Sequence, residues 1–195
     1  MSRLSDLKTD EALSTPKFSL DDRQTLLRIA HESVLSALTD KALPQTPSSP
    51  LLSEFRGVFT TLYLHGSLRG CVGYALPVAP LYLAVAETAR AAAFEDTRFS
   101  PVTMAEAPEL GVSLSILSPL SPIRPEDVEA GRHGLVVSLG ANRGLLLPQV
   151  PVEYGWDRET FLQQTCHKAG LPSDAWRRGA VLESFTAEVF GDNRI

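Results

Sequence analysis

One thiol and one guanidinium stand two residues apart in Leu68-Arg69-Gly70-Cys71-Val72-Gly73, framed by glycines and apolar side chains. If this segment is extended, Arg69, Cys71 and Gly73 share one face of a strand, while Leu68, Gly70, Val72 and Tyr74 share the other. A guanidinium beside a thiol favours the thiolate, the form in which cysteine is nucleophilic. Gly70 and Gly73 suit the close approach of a ligand or of another backbone. The same residues also read as a packing device, with Cys71 a small buried hydrophobe and both glycines seated against a helix. The second thiol, Cys166, shares a helical face with Phe161, Leu162, Thr165 and Ala169 and should point inward. His167 lies about 100° further round that helix, so the Cys-His adjacency carries little chemistry.

Other candidates lie in the loops. In Glu95-Asp96-Thr97-Arg98-Phe99, Asp96 and Arg98 either anchor a turn as an ion pair or offer charge to an anionic ligand. His133 sits in the glycine-framed segment Gly131-Arg132-His133-Gly134, just before a strand, a typical position for a general base. Gln149 and Glu153 flank Pro151 and offer an amide and a carboxylate to the same cleft. The candidate set is therefore Cys71 and His133 for catalysis, with Arg69, Gly70, Gly73, Asp96, Arg98, Gln149 and Glu153 for ligand binding. His31, on an apolar helical stripe, reads as a boundary histidine. The chain has no phosphate loop, dinucleotide fingerprint, nucleophile elbow or HExxH spacing, and its histidines form no i, i+4 pair. Neither a metal nor a cofactor is expected.

The elements that must position these residues are legible from periodicity. Ser19 caps a helix beginning near Leu20, with Asp21 and Asp22 in its first turn and an apolar stripe of Leu27, Val34, Leu35 and Leu38. Residues 41–53 carry three prolines and form an extended connector. Strands at 57–64 and 68–74, joined through His65-Gly66-Ser67, make an antiparallel hairpin. An Ala-rich helix follows at 80–94, with Pro80 at its first position and Glu87 and Arg90 on its one polar edge. Thr103-Met104-Ala105-Glu106 has the form of a capping box. Strands are expected at 111–117, 134–139, 144–147 and 181–189, with a turn at Ala141-Asn142-Arg143-Gly144, and a helix capped by Asp157 runs to Ala169. Hairpins outnumber βαβ units, so the fold class is α+β: one compact domain, largely antiparallel sheet with helices packed on it, with room for a small sub-lobe.

Composition sets the outer bounds. The chain has 195 residues, 44% of them hydrophobic, enough for one self-sufficient core. Residues 1–18 read as a loose tail and 19–192 as the domain. A net charge of −5 with no basic stripe disfavours nucleic acid as a partner. Two cysteines without CxxC spacing disfavour a disulfide framework or a structural zinc site. Absence of an apolar leader and of any membrane-length apolar run points to a cytoplasmic protein with no membrane partner.

Seven segments in order jointly resemble the AMMECR-domain family. They are Phe59-Thr60-Thr61-Leu62, Leu68-Arg69-Gly70-Cys71-Val72-Gly73, the run from Ala91 to Phe99, the run from Ser113 to Ser118, Gly131-Arg132-His133-Gly134-Leu135, Leu145-Leu146-Leu147-Pro148-Gln149-Val150 and Lys168-Ala169-Gly170-Leu171. The resemblance covers about residues 20–190; Val72 stands where the family usually has isoleucine. It implies a compact α+β domain without an established activity, a functional hexapeptide represented by Arg69 and Cys71, and association with Memo-like and radical S-adenosylmethionine proteins. Three roles compete for the hexapeptide. It is a binding or regulatory module for a small ligand or partner, or a thiol-dependent enzyme on a small anionic metabolite with Cys71 as nucleophile, or a packing device. The first is preferred because no catalytic constellation is recognisable.

Overall fold

The computed structural model describes residues 18–39 and 47–192. Residues 1–17 of the expected tail and 41–46 of the expected connector lie outside the described residues. Helix α1 spans Leu20–Thr39. It opens on a reciprocal cap: the Asp22 amide donates to Ser19 Oγ at 3.1 Å while the Ser19 amide donates to the Asp22 carboxylate at 3.1 Å. Its buried face is Leu26, Ile29, Ala30, Ser33 and Val34, and Leu35, expected to face inward, is 37% exposed. The stripe is displaced because small residues form the contact. Ser33 Oγ donates to the Ala86 carbonyl at 2.7 Å, which brings α1 close against the next helix and satisfies the buried hydroxyl.

Strands β1 (Val58–Leu64) and β2 (Ser67–Tyr74) form the expected hairpin. Its turn is His65-Gly66, with φ of 51° and 78°, the positive values that a tight two-residue hairpin turn requires. Helix α2 (Leu81–Phe94) follows, with Pro80 as N-cap rather than first helical residue. Thr88 Oγ1 meets Thr60 Oγ1 at 2.7 Å and also reaches the Ala84 carbonyl at 2.8 Å, a buried polar link between α2 and β1. Strand β3 (Leu110–Leu117) pairs with β1.

A second sheet is built from β4 (Ser121–Pro122), β5 (Gly134–Leu139), β6 (Asn142–Leu146) and a later strand. The turn between β5 and β6 is at Gly140-Ala141, with Gly140 at φ 59°. Asn142 and Arg143, expected in that turn, instead pair with Leu139 and Ser138. Helix α3 (Gln149–Glu153) and helix α4 (Arg158–Lys168) complete the lobe. The Asp157 side chain accepts the Thr160 amide at 2.8 Å, and Gly170 leaves α4 at φ 69°, as the sequence predicts.

The single strand expected at 181–189 is two. β7 (Val181–Phe185) pairs with β5 and β4, and β8 (Ala187–Gly191) pairs with β3. The sheet orders are β2-β1-β3-β8 and β4-β7-β5-β6, antiparallel throughout. The chain changes sheet at Ser118 and again at Thr186, and these crossings support each other. The Ser118 amide donates to the Thr186 carbonyl at 2.9 Å, and the Thr186 amide donates to Ser118 Oγ at 3.0 Å. One core lies between the first sheet, α1 and α2, and another between the second sheet and α4. A third cluster, Leu117, Val136 and Phe185 with Phe59, Leu145 and Leu147 against it, joins the sheets. The fold is α+β. Among the described residues, no helix is long and apolar enough to cross a membrane.

Candidate functional site

β2 is an edge strand, and its alternation divides the hexapeptide between two layers. Gly70, Val72 and Tyr74 turn toward α2, whereas Cys71 and Gly73 turn the other way. A Cβ on Gly70 would lie 2.0 Å from the Ala92 carbonyl oxygen, so only glycine lets α2 lie this close. On the opposite face, a Cβ on Gly73 would fall 2.3 Å from the ring of Phe59, its cross-strand partner. That ring also belongs to the cluster joining the two sheets. Both glycines are demanded by packing within the protein.

Arg69 sits at a register shift: Leu62 pairs with Gly70 and Tyr63 with Leu68, leaving Arg69 as the extra residue of a β-bulge. Its side chain is only 13% exposed and reaches across to the segment before β3. Nε donates to Glu106 Oε1 at 3.0 Å, Nη1 to the Ser100 carbonyl at 2.8 Å, and Nη2 to the Pro101 carbonyl at 3.3 Å. Glu106 also closes the expected capping box, accepting the Thr103 amide at 2.8 Å. Hydrogen bonds from Arg69 and then from Thr103 hold the Glu106 carboxyl down to about 2. Arg69 is therefore a strut between β2 and residues 100–106, not a guanidinium held out to a ligand.

The basic group beside the thiol is Arg98. Asp96 Oδ2 accepts the Cys71 amide at 2.9 Å, which caps a donor of the open strand edge. The same carboxylate, 7% exposed, accepts Arg98 Nε at 2.9 Å and Nη2 at 2.7 Å. These bonds, Arg98 first and the Cys71 amide second, hold Asp96 well below the usual carboxylate range. Arg98 is raised chiefly by its hydrogen bonds to Asp96, then by that charge, with a smaller electrostatic contribution from neighbouring Cys71. The guanidinium remains 57% exposed and lies over the Phe99 ring, 5.5 Å from its centroid. On the other side, Thr61 Oγ1 donates to Cys71 Sγ at 3.3 Å. Thr61 escapes the sequence reading because a two-residue hairpin turn alone would set it opposite Gly70, and the bulge at Arg69 moves it opposite Cys71. The half-buried thiol thus lies between a hydroxyl donor and an exposed cation.

The remaining candidates do not converge on it. His133 is half-buried in its own loop, where Nδ1 accepts the Glu129 amide at 3.1 Å. Burial, then Arg132, pushes its imidazole down toward the neutral form. Among the described residues no hydrogen bond joins His133 to the hexapeptide. Gln149 and Glu153, expected just beyond a strand and facing the same cleft, are exposed residues at the two ends of α3. Cys166 is fully buried and its thiol is raised by burial; His167 is exposed. His31 Nε2 contacts Asp192 Oδ2 at 2.6 Å, fastening the end of β8 to α1. Among the described residues, no group of three or more metal-ligating side chains is assembled.

A family model described as AMMECR1 matches residues 27–190. The chain belongs to the AMMECR1 family. A Thermococcus gammatolerans protein is 44% identical over 179 residues, covering 85% of this chain and 87% of that protein. Protein MK0488 of Methanopyrus kandleri is 40% identical over 186 residues, covering 89% and 90% respectively. The crystal structure of uncharacterized protein PH0010 from Pyrococcus horikoshii is similar with a TM-score of 0.72 at 41% identity, covering 86% of this chain and 90% of that one. The AMMECR1 match spans the hexapeptide, the Asp96–Arg98 turn and both sheets.

Proposed function

We propose that this AMMECR1-family protein is a binding module whose contact point is the Cys71 thiol on the edge of β2. The observation that carries the reading is the division of roles within the hexapeptide. Gly70 and Gly73 are consumed by packing and Arg69 by its bonds to residues 100–106, whereas Cys71 stays half-exposed beside the outward-facing Arg98. A thiol flanked by a cation and a hydroxyl donor suits an occupant with a polar or anionic group near a soft, polarisable contact. A Memo-like or radical S-adenosylmethionine protein is the partner that the family resemblance suggests, and is the first probe.

The test measures binding of a purified Memo-like protein by calorimetry to the wild type, Cys71→Ser and Arg98→Gln. Each variant is expected to weaken binding at least about tenfold, or 1.4 kcal/mol. Affinity unchanged in both variants sinks the reading. A second reading, a thiol-dependent enzyme, is favoured by the Thr61 and Arg98 contacts around the sulfur. It requires rapid alkylation of Cys71 by iodoacetamide that slows several-fold in Arg98→Gln. A thiol inert in the folded protein rules it out.

A further inference from the structure

On the α2 side of β2, opposite the face that carries Cys71, a cavity of about 310 Å³ opens between the strand and the helix. Leu83 and Ala86 contribute apolar lining, and Tyr74, Glu87, Arg90 and Glu95 bring the polar groups. The volume is at the lower end of the range for small-molecule sites.

The charges in this cavity are mixed but do not neutralise one another. Glu87 and Arg90 are three residues apart on α2, a spacing at which carboxylate and guanidinium often pair. No such ion pair forms, and among the described residues Arg90 has no ionic or hydrogen-bonding partner. Glu87 instead lies beside the Tyr74 phenol. Burial, then the charges of Glu87 and Glu95, raises that phenol, so it stays protonated and able to donate. A guanidinium and two carboxylates therefore line one cleft above an apolar floor, each with capacity left for a charged group of opposite sign.

We propose that this cavity binds a small zwitterion of the aliphatic α-amino-acid type. Its carboxylate would lie on Arg90, its ammonium between Glu87 and Glu95, and its side chain on Leu83 and Ala86. Glu87 and Arg90 are exposed, so each charged contact is modest. A dissociation constant of about 1 mM is expected, equivalent to about 4 kcal/mol. The site is separate from the Cys71 reading, being on the other face of the strand, and each stands or falls alone.

Calorimetric titration of the full chain with L-leucine, isopentylamine and isocaproate tests it, since each analogue removes one charge of leucine. Leucine is expected to saturate, with both analogues at least about tenfold weaker. Arg90→Gln should weaken leucine about tenfold, with an unchanged circular dichroism spectrum and no loss of the residual amine binding. Cys71→Ser should bind leucine as the wild type does. The proposal is overturned by no saturation up to about 10 mM leucine, by amine binding as tight as leucine, by full affinity in Arg90→Gln, or by loss of leucine binding in Cys71→Ser.

Discussion

Gly70→Ala isolates what the hexapeptide does for the fold. The new methyl would start 2.0 Å from the Ala92 carbonyl oxygen and 3.0 Å from its carbon, where ordinary contact begins near 3.4 Å. Both colliding groups are backbone, so no side-chain rotation relieves the clash. β2 is held in register by β1, and α2 is held by Leu81, Ala84, Val85, Thr88 and Ala92. The helix must therefore lift off the sheet by about 1.4 Å (from the 2.0 Å start). A gap of about 0.5–1 Å already forfeits a quarter to a half of the dispersion energy of the atoms concerned. Overpacking costs of about 1–3 kcal/mol apply, and stretching the Thr60–Thr88 hydrogen bond adds about 1 kcal/mol. A total of about 2–4 kcal/mol corresponds, at this chain length, to a fall in melting temperature of roughly 4–16 °C.

Urea unfolding and thermal melting followed by circular dichroism give both numbers on the same sample. Cys71→Ser is the contrast: the side chain is half-exposed, and the hydrogen bond it accepts from Thr61 can be made to a hydroxyl as well. It should cost less than about 1 kcal/mol. A Gly70→Ala protein within about 1 kcal/mol of the wild type would refute the packing account of the glycine, because no rotamer change could have absorbed the methyl.

Arg69→Gln should destabilise by about 2–3 kcal/mol in urea, since the largely covered guanidinium holds Glu106 and two carbonyls at once. Its alkylation rate at Cys71 should stay within about twofold of the wild type, because Arg98 and not Arg69 is the charge beside the thiol. Glu106 is held at about 2 against an ordinary value of 4.5, so its contribution to stability is complete above pH 4.5 and is lost as pH falls toward 2. Urea midpoints measured across that interval should fall with acidity, less steeply in Glu106→Gln. Ser19→Ala removes the α1 cap and should cost about 1 kcal/mol by the same assay.

What the sequence revealed was local. The β1–β2 hairpin, the Ser19 cap, the Thr103–Glu106 capping box and the Asp157 and Gly170 ends of α4 are each specified by residues within one turn of one another, and each forms as expected. The split at Thr186 could not be read because its cause is Ser118, 68 positions away. The alternating run simply continues through the crossing. Arg69 fails similarly: alternation places it on the face of Cys71, but the bulge and the carbonyls of Ser100 and Pro101 decide where its guanidinium goes. His133 carried the right chemistry for a base, yet its Nδ1 is spent within its own loop. For Asp96 and Arg98 the sequence offered an ion pair or a charged site. The carboxylate forms the pair and holds the Cys71 amide too, and no spacing rule predicts that second bond.

The hexapeptide's glycines and its cysteine answer to different constraints, and the strand's period of two separates them. Gly70 admits α2 on one side of β2, and Gly73 admits the Phe59 ring on the other, so the strand lies between two packed layers with no room for adjustment. Cys71 inherits its position from those contacts rather than from any bond of its own sulfur that the core requires. Asp96 then fixes the Cys71 amide and Arg98 with one carboxylate, so the backbone of Cys71 and the guanidinium share one anchor. Perturbations at the glycines or Arg69 report on folding, whereas Cys71→Ser leaves the scaffold in place. Arg98→Gln also removes the chief partner of Asp96, so its binding is read together with its urea midpoint. Loss of binding in Cys71→Ser or Arg98→Gln at unchanged stability would therefore assign function to the sulfur and its cation, and the same loss in Gly70→Ala would not.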